Sequence, residues 1–149
     1  MEPVVRVRLT DEPIPVDMLR AERPNSGEFG GYATFEGIVR NHNDGKKVKA
    51  IEYEAYYKLA LLECERIGRK VALEKGVGFV ELVHRLGHLE VGDVAVFVQV
   101  MSHHRREAFE ACIAIMDEIK ATVPIWKKEF YVSGEHAWPH CSGCQHGAG

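Results

Sequence analysis

Three groups of residues in this sequence have types and spacing suited to chemistry. Ser102-His103-His104-Arg105-Arg106 sets four basic or potentially basic side chains in a row at the start of an amphipathic run. Lys120 and Lys127 stand on either side of Pro124, and Arg40 meets the polar stretch Asn41-His42-Asn43-Asp44-Gly45. A helix N-terminus carrying Arg and His suits a phosphate or carboxylate, because its first amides are free and the macrodipole there is positive. Without an anion the same cluster is a solvated basic turn. Two ammonium groups held close lower each other's pKa, which readies one as base or nucleophile and attracts an anionic substrate. Held apart they are ordinary surface lysines, with Lys120 snorkelling from the edge of an apolar stripe. Arg40 is likewise either an anion contact or a plain strand-end arginine.

The elements that must position these groups follow from periodicity. Ala108, Cys112, Ile115 and Ile119, with Phe109, Ile113 and Met116 beside them, form a wide apolar face at helical spacing. Ser102 is placed to cap this helix, and Pro124 should end it by about Thr122. In the strand that follows, Ile125, Lys127, Glu129 and Tyr131 share one face, and Trp126, Lys128 and Phe130 the other. Lys58 to Lys75 reads as a second helix stopped at Gly76, and Val16 to Glu22 as a short one. Strands are expected over Val4–Leu9, Val77–His84 and Asp93–Met101; the last is apolar on both faces except for Gln99 and so should be central. Gly31–Arg40 and Lys47–Tyr56 read as hairpin partners around the polar stretch after Arg40. The irregular mixture of strands and helices argues α+β.

With 149 residues, 46% of them hydrophobic, the chain has material for one domain with a substantial core. A net charge of −3 gives no global reason to expect nucleic acid. No apolar run approaches membrane-spanning length and no signal peptide is read, so a cytoplasmic protein is expected. Gly27-Glu28-Phe29-Gly30-Gly31 lacks the spacing and the lysine of a phosphate-binding loop. Cys64 and Cys112 fall at apolar helical positions and read as small core residues.

Helix length sets a geometric problem. Residues 105 and 120 on one straight helix are separated by about 22 Å, too far for one small substrate to touch both. Either the two clusters serve different purposes, or a two-fold dimer brings one chain's His104 and Arg105 to the other chain's Lys120.

Several short stretches, taken in order, resemble the large, catalytic subunit of molybdopterin synthase. They are Phe35-Glu36-Gly37-Ile38-Val39-Arg40, Tyr53-Glu54-Ala55-Tyr56, His84-Arg85-Leu86-Gly87 with Gly92-Asp93, Ser102-His103-His104-Arg105, and Lys120 leading to Pro124-Ile125-Trp126-Lys127-Lys128-Glu129. The resemblance runs from about Gly30 to Trp138. It implies an α/β-hammerhead-type fold with mixed or antiparallel sheet and packed helices, and a homodimer at the centre of a heterotetramer. A small ubiquitin-like sulfur-carrier subunit would bind at each end. Its C-terminal thiocarboxylate would supply the two sulfurs that turn cyclic pyranopterin monophosphate into the dithiolene of molybdopterin.

By the same resemblance Lys120 and Lys127 are catalytic, while Arg40, His104 and Arg105 bind the anionic pterin, the last two in the partner chain's site. Glu129 matches a motif position of the substrate site close to Lys127, which it would orient. No cysteine occupies these motifs, which agrees with sulfur arriving on a partner, and no cofactor is implied. Gly30-Gly31 stands where relatives more often have Gly-Ala. A domain of residues 1–135 is then followed by a flexible Cys/His-containing tail, residues 136–149. Cys141 and Cys144, with nearby histidines, are zinc-ligand candidates, or a redox pair or persulfide carrier. Adventitious metal binding is the leading reading, because the tail ends in Gly-Ala-Gly with nothing to pack, and no metal site is assigned. Two competing readings are a Schiff-base lysine enzyme acting on a phosphorylated carbonyl compound and a non-catalytic dimeric module for a ubiquitin-like protein.

Overall fold

In chain order the first elements are β1 (Val4–Thr10), α1 (Val16–Ala21), β2 (Gly31–Ile38), β3 (His42–Asn43), β4 (Lys46–Ala55) and α2 (Tyr57–Lys75). There follow β5 (Phe79–Arg85), β6 (Gly87–Glu90), β7 (Val94–Ser102), α3 (Arg105–Thr122), β8 (Ile125–Tyr131) and β9 (His136–Cys141). The structure is a computed structural model that describes residues 2–141. Its architecture is α+β, as expected, with one mixed and one antiparallel sheet.

Side-chain alternation makes β7 the middle of the first sheet, whose order is β1-β5-β7-β2. Val96, Val98 and Val100 point to one face and join α2 and α3 in the main core. Phe97 points the other way and packs with Ile14, Leu19 and Val83, beneath α1. A strand covered on both faces needs a continuous apolar run, and β7 has one. Its polar exception is satisfied. The Gln99 amide nitrogen donates to the Leu19 carbonyl at 3.0 Å and to Glu81 Oε1 at 2.7 Å. Its oxygen accepts from the Tyr32 hydroxyl at 2.6 Å, so the buried amide carries no desolvation penalty from an unmade bond.

The expected hairpin between β2 and β4 does not form. β2 pairs with β7, while β4 belongs to the second sheet, β3-β4-β8-β9, and also pairs with β6. Two causes account for this. Asp44 and Gly45 both have positive φ, 51° and 77°, the geometry of a tight two-residue turn, so the hairpin closes on β3 alone. Ala33 is needed in the core with α3, which holds β2 in the first sheet. Arg40 therefore stands where the chain crosses from one sheet to the other.

Two expectations for α3 are also corrected. Ser102 is the last residue of β7 and does not cap the helix; the N-cap is His104, and the Ser102 hydroxyl donates to its carbonyl. The buried stripe of α3 is narrower than its composition suggests. Ala108, Cys112, Ile115 and Ile119 are buried, but Phe109 and Ile113 are 60% and 63% exposed. Each follows a buried position by one residue, about 100° round the helix, beyond the reach of α2 and the sheet.

Past residue 135 the chain forms β9, antiparallel to β8, with Phe130 opposite His136 and Trp126 opposite Cys141. The tail expected from residue 136 therefore begins as sheet, because β8 has a free edge on that side. Cys144 lies outside the described residues.

Candidate functional site

The junction of α3 and β8 places the two lysines on either side of one turn. Lys120 sits in the last turn of α3, which closes with the Val123 amide donating to the Ile119 carbonyl at 3.1 Å. Pro124 then turns the chain into β8, and its carbonyl accepts from the Tyr56 amide at 3.2 Å, docking the turn on the start of α2. Lys127 follows in β8 and is half-buried; Lys120 is exposed in the single chain.

Register identifies the surroundings of Lys127. Tyr53 of β4 is directly opposite, so the two side chains share a face. The Tyr53 ring lies edge-on to the His84 ring, 5.0 Å between centroids. His84 is opposite Val96, and Val96 is opposite Gly37, three residues before Arg40. A run of strand pairs and one ring contact thus leads from Lys127 to Gly37, near the end of the strand that precedes Arg40. Arg40 itself is exposed, next to Val39, whose amide and carbonyl bond to Asp93 and Gly92 at 3.0 and 2.9 Å.

Tyr53 and His84 are both uncharged at neutral pH. Burial, reinforced by the Glu129 carboxylate, pushes the Tyr53 phenol up to about 12. Burial pushes the His84 imidazole down to about 4, opposed by a bond between its Nδ1 and the Arg85 carbonyl at 2.8 Å. Among the described residues no carboxylate pairs with Lys120, Lys127, Arg40 or Arg105. The four cations are thus open to an anionic ligand.

Glu129 is turned away from solvent. It is 2% exposed, and its carboxylate accepts from Asn43 Nδ2 at 2.8 Å and from the Tyr131 hydroxyl at 3.3 Å. It faces the β3–β4 hairpin and presents no surface to a ligand arriving from solvent.

His104 and Arg105 are exposed at the opposite end of α3. The helix is continuous from Arg105 to Thr122, so about 22 Å separates them from Lys120 within one chain. Their position is set by a close approach. A Cβ built on Gly31 would lie 2.7 Å from the His104 carbonyl oxygen and 3.0 Å from the Arg105 nitrogen. The second glycine of Gly30-Gly31 thus lets β2 press directly on the start of α3.

Tyr53, His84 and Asn43 were not singled out as site residues from sequence. Tyr53 and His84 lie inside recognisable motifs, but only the tertiary structure shows that Tyr53 stands opposite Lys127 and His84 against Tyr53. Asn43 read simply as turn chemistry.

Comparison with known proteins bears on the family and the fold. The profile of the family described as MoaE protein matches residues 9–122. The chain is 47% identical over 112 residues to the molybdopterin synthase catalytic subunit of Pyrococcus abyssi, covering 74% of this chain and 75% of that one. It is similar in structure to molybdopterin synthase from Staphylococcus aureus, with a TM-score of 0.79 and 31% identity over 94% of this chain and 98% of that one. The complex of subunits 1 and 2 of molybdopterin-converting factor from Helicobacter pylori shares the fold, at TM-score 0.70 and 22% identity over 91% of this chain and 89% of that one. Motif order, sheet topology and these likenesses agree, and the chain belongs to the MoaE family, that of molybdopterin synthase catalytic subunits.

Proposed function

We propose that this chain is the sulfur-transferring subunit of a molybdopterin synthase in the cytoplasm. It takes sulfur from the C-terminal thiocarboxylate of a small ubiquitin-like carrier and delivers it to cyclic pyranopterin monophosphate, in molybdenum cofactor biosynthesis. The observation that carries the reading is the placement of Lys120 and Lys127 on either side of the Pro124 turn, with no carboxylate paired to either among the described residues. Among the described residues no helix is long and apolar enough to cross a membrane.

The roles follow from charge and geometry. Arg40, His104 and Arg105 hold the anionic pterin through charge-assisted hydrogen bonds. Lys120 and Lys127 move protons as the cyclic phosphate ring opens, and stabilise negative charge on the carrier's acyl group as its thioester link to the pterin is cleaved. The length of α3 supports a homodimer in which His104 and Arg105 of one chain complete the site of the other. The exposed Phe109 and Ile113 on the same helix are apolar surface that such an assembly could cover. The name catalytic subunit, carried by the relatives, supports a second, carrier subunit.

Reconstitution tests the reading. Purified chain, thiocarboxylated carrier and cyclic pyranopterin monophosphate should give dithiolene product, and Lys120→Ala should give little. A folded chain that binds carrier but makes no product would overturn it.

A further inference from the structure

Glu129 is a buried carboxylate, 2% exposed. A buried acid needs donors, and here they come from Asn43 at 2.8 Å and Tyr131 at 3.3 Å. Tyr131 is on the same strand and two residues away, so that bond ties β8 only to itself. The bond from Asn43 crosses the sheet, from β3 over β4 to β8.

That crossing lies close to an irregularity in the backbone ladder. The register between β4 and β8 slips between Val48 and Ala50, at the point where the β3–β4 hairpin leaves the sheet. β3 is only two residues long, paired to Lys46 and Lys47. At the root of the hairpin is Arg40; on β8, two residues from Glu129 and on its face, is Lys127. The Asn43–Glu129 bond therefore joins the segment that follows Arg40 to the strand that carries Lys127.

We propose that Asn43 is a positioning residue: through Glu129 it fastens the hairpin to β8 and so sets the distance between the anion-binding Arg40 and the proton-transferring Lys127. This rests on the roles given above to Arg40 and Lys127. Glu129 then serves as an acceptor for Asn43, not as a ligand for substrate.

The test uses the reconstituted two-subunit enzyme with cyclic pyranopterin monophosphate, measuring kcat and KM separately. Arg40→Ala is the reference and should raise KM. Asn43→Ala should raise KM on the order of tenfold, the loss of one hydrogen bond to a buried carboxylate, with a much smaller change in kcat. In the Arg40→Ala background it should raise KM no further, because both changes remove the same placement. Glu129→Ala should behave as Asn43→Ala does, and Glu129→Gln, which keeps an oxygen for Asn43, should recover most of the loss.

Asn43→Asp, nearly the same shape, guards against a variant that does not fold. Two facing carboxylates repel, so its KM should be raised at pH 8 and approach that of the unchanged protein as the pH is lowered. An effect of Asn43→Ala that is equal with and without Arg40, or a KM of Asn43→Asp that tracks the unchanged protein at every pH, would overturn the proposal while leaving the sulfur-transfer reading intact. A KM unmoved by Arg40→Ala would instead sink the role of Arg40 and the proposal with it.

Discussion

Tyr53 faces Lys127 across the β4–β8 ladder, and the neighbour it presents to that lysine is a phenol held neutral up to about pH 12. Tyr53 therefore adds no charge of its own beside the lysine. Lys127→Arg separates charge from proton transfer, since a guanidinium keeps its proton at neutral pH. The expected result in reconstituted enzyme is a KM for the pterin close to that of the unchanged protein, with kcat lower by about 10²- to 10⁴-fold, the usual scale for losing a general acid or base. Equal losses in Lys127→Arg and Lys127→Ala, confined to KM, would mean the lysine only binds.

Arg105 and Lys127 belong to different sites of the same chain if the dimer is shared. Separately purified Arg105→Ala and Lys127→Ala proteins should both be inactive. Mixed under exchange conditions, they form some dimers in which one site carries both lesions and the other carries none. Activity should reappear, at half the normal rate for each mixed dimer. No recovery despite exchange, followed with a mass tag, would place both residues in one chain's site.

The His84 imidazole is buried and neutral, with its pKa lowered from 6.5 to about 4. Between those values the unfolded chain binds a proton that the folded chain refuses, so stability rises with pH across this window. The contribution is complete above pH 6.5 and is lost as the pH falls towards 4, in all about 3 kcal/mol. Urea midpoints at pH 7.5, 5.5 and 4.5 should fall in that order. His84→Gln, which can still bond to the Arg85 carbonyl but does not titrate, should flatten the trend; an unchanged slope would assign it to other groups.

Gly31→Ala puts a methyl group 2.7 Å from a backbone carbonyl, not from a side chain that can rotate away. Either β2 or the start of α3 must move, at about 1–3 kcal/mol of unfolding free energy. Because the atoms displaced belong to His104 and Arg105, KM for the pterin should rise as well. Gly45→Ala is the control for a strained glycine far from α3: its φ of 77° penalises alanine, with open space around the Cβ. It should cost stability and leave the His104–Arg105 end undisturbed.

Local pattern was sufficient for α3, α2, the central β7 and the faces of β8. In each the information lies in one stretch of chain, as apolar spacing of a helix or a strand and as a stop at Pro124 or Gly76. The motifs around Arg40, His104, Lys120 and Lys127 were legible for the same reason, and so was the distance problem along α3, which needs only the rise of a helix. Strand partnership was not legible. β2 and β4 flank a good turn sequence, but Asp44-Gly45 closes only β3 onto β4, and the need to bury Ala33 against α3 draws β2 to β7. That choice depends on contacts between residues far apart in sequence, which no local window contains.

The same limit applied to single side chains. Glu129 and Lys127 share a face by alternation, yet only the tertiary structure turns the carboxylate to Asn43, 86 positions away. Phe109 and Ile113 have the spacing of a core stripe, but α2 and the sheet reach one side of α3 and leave these two outside. Residue types determined which groups can bind an anion or move a proton. Packing decided which of them face each other, because burial and register are set by the whole set of sheets and helices at once.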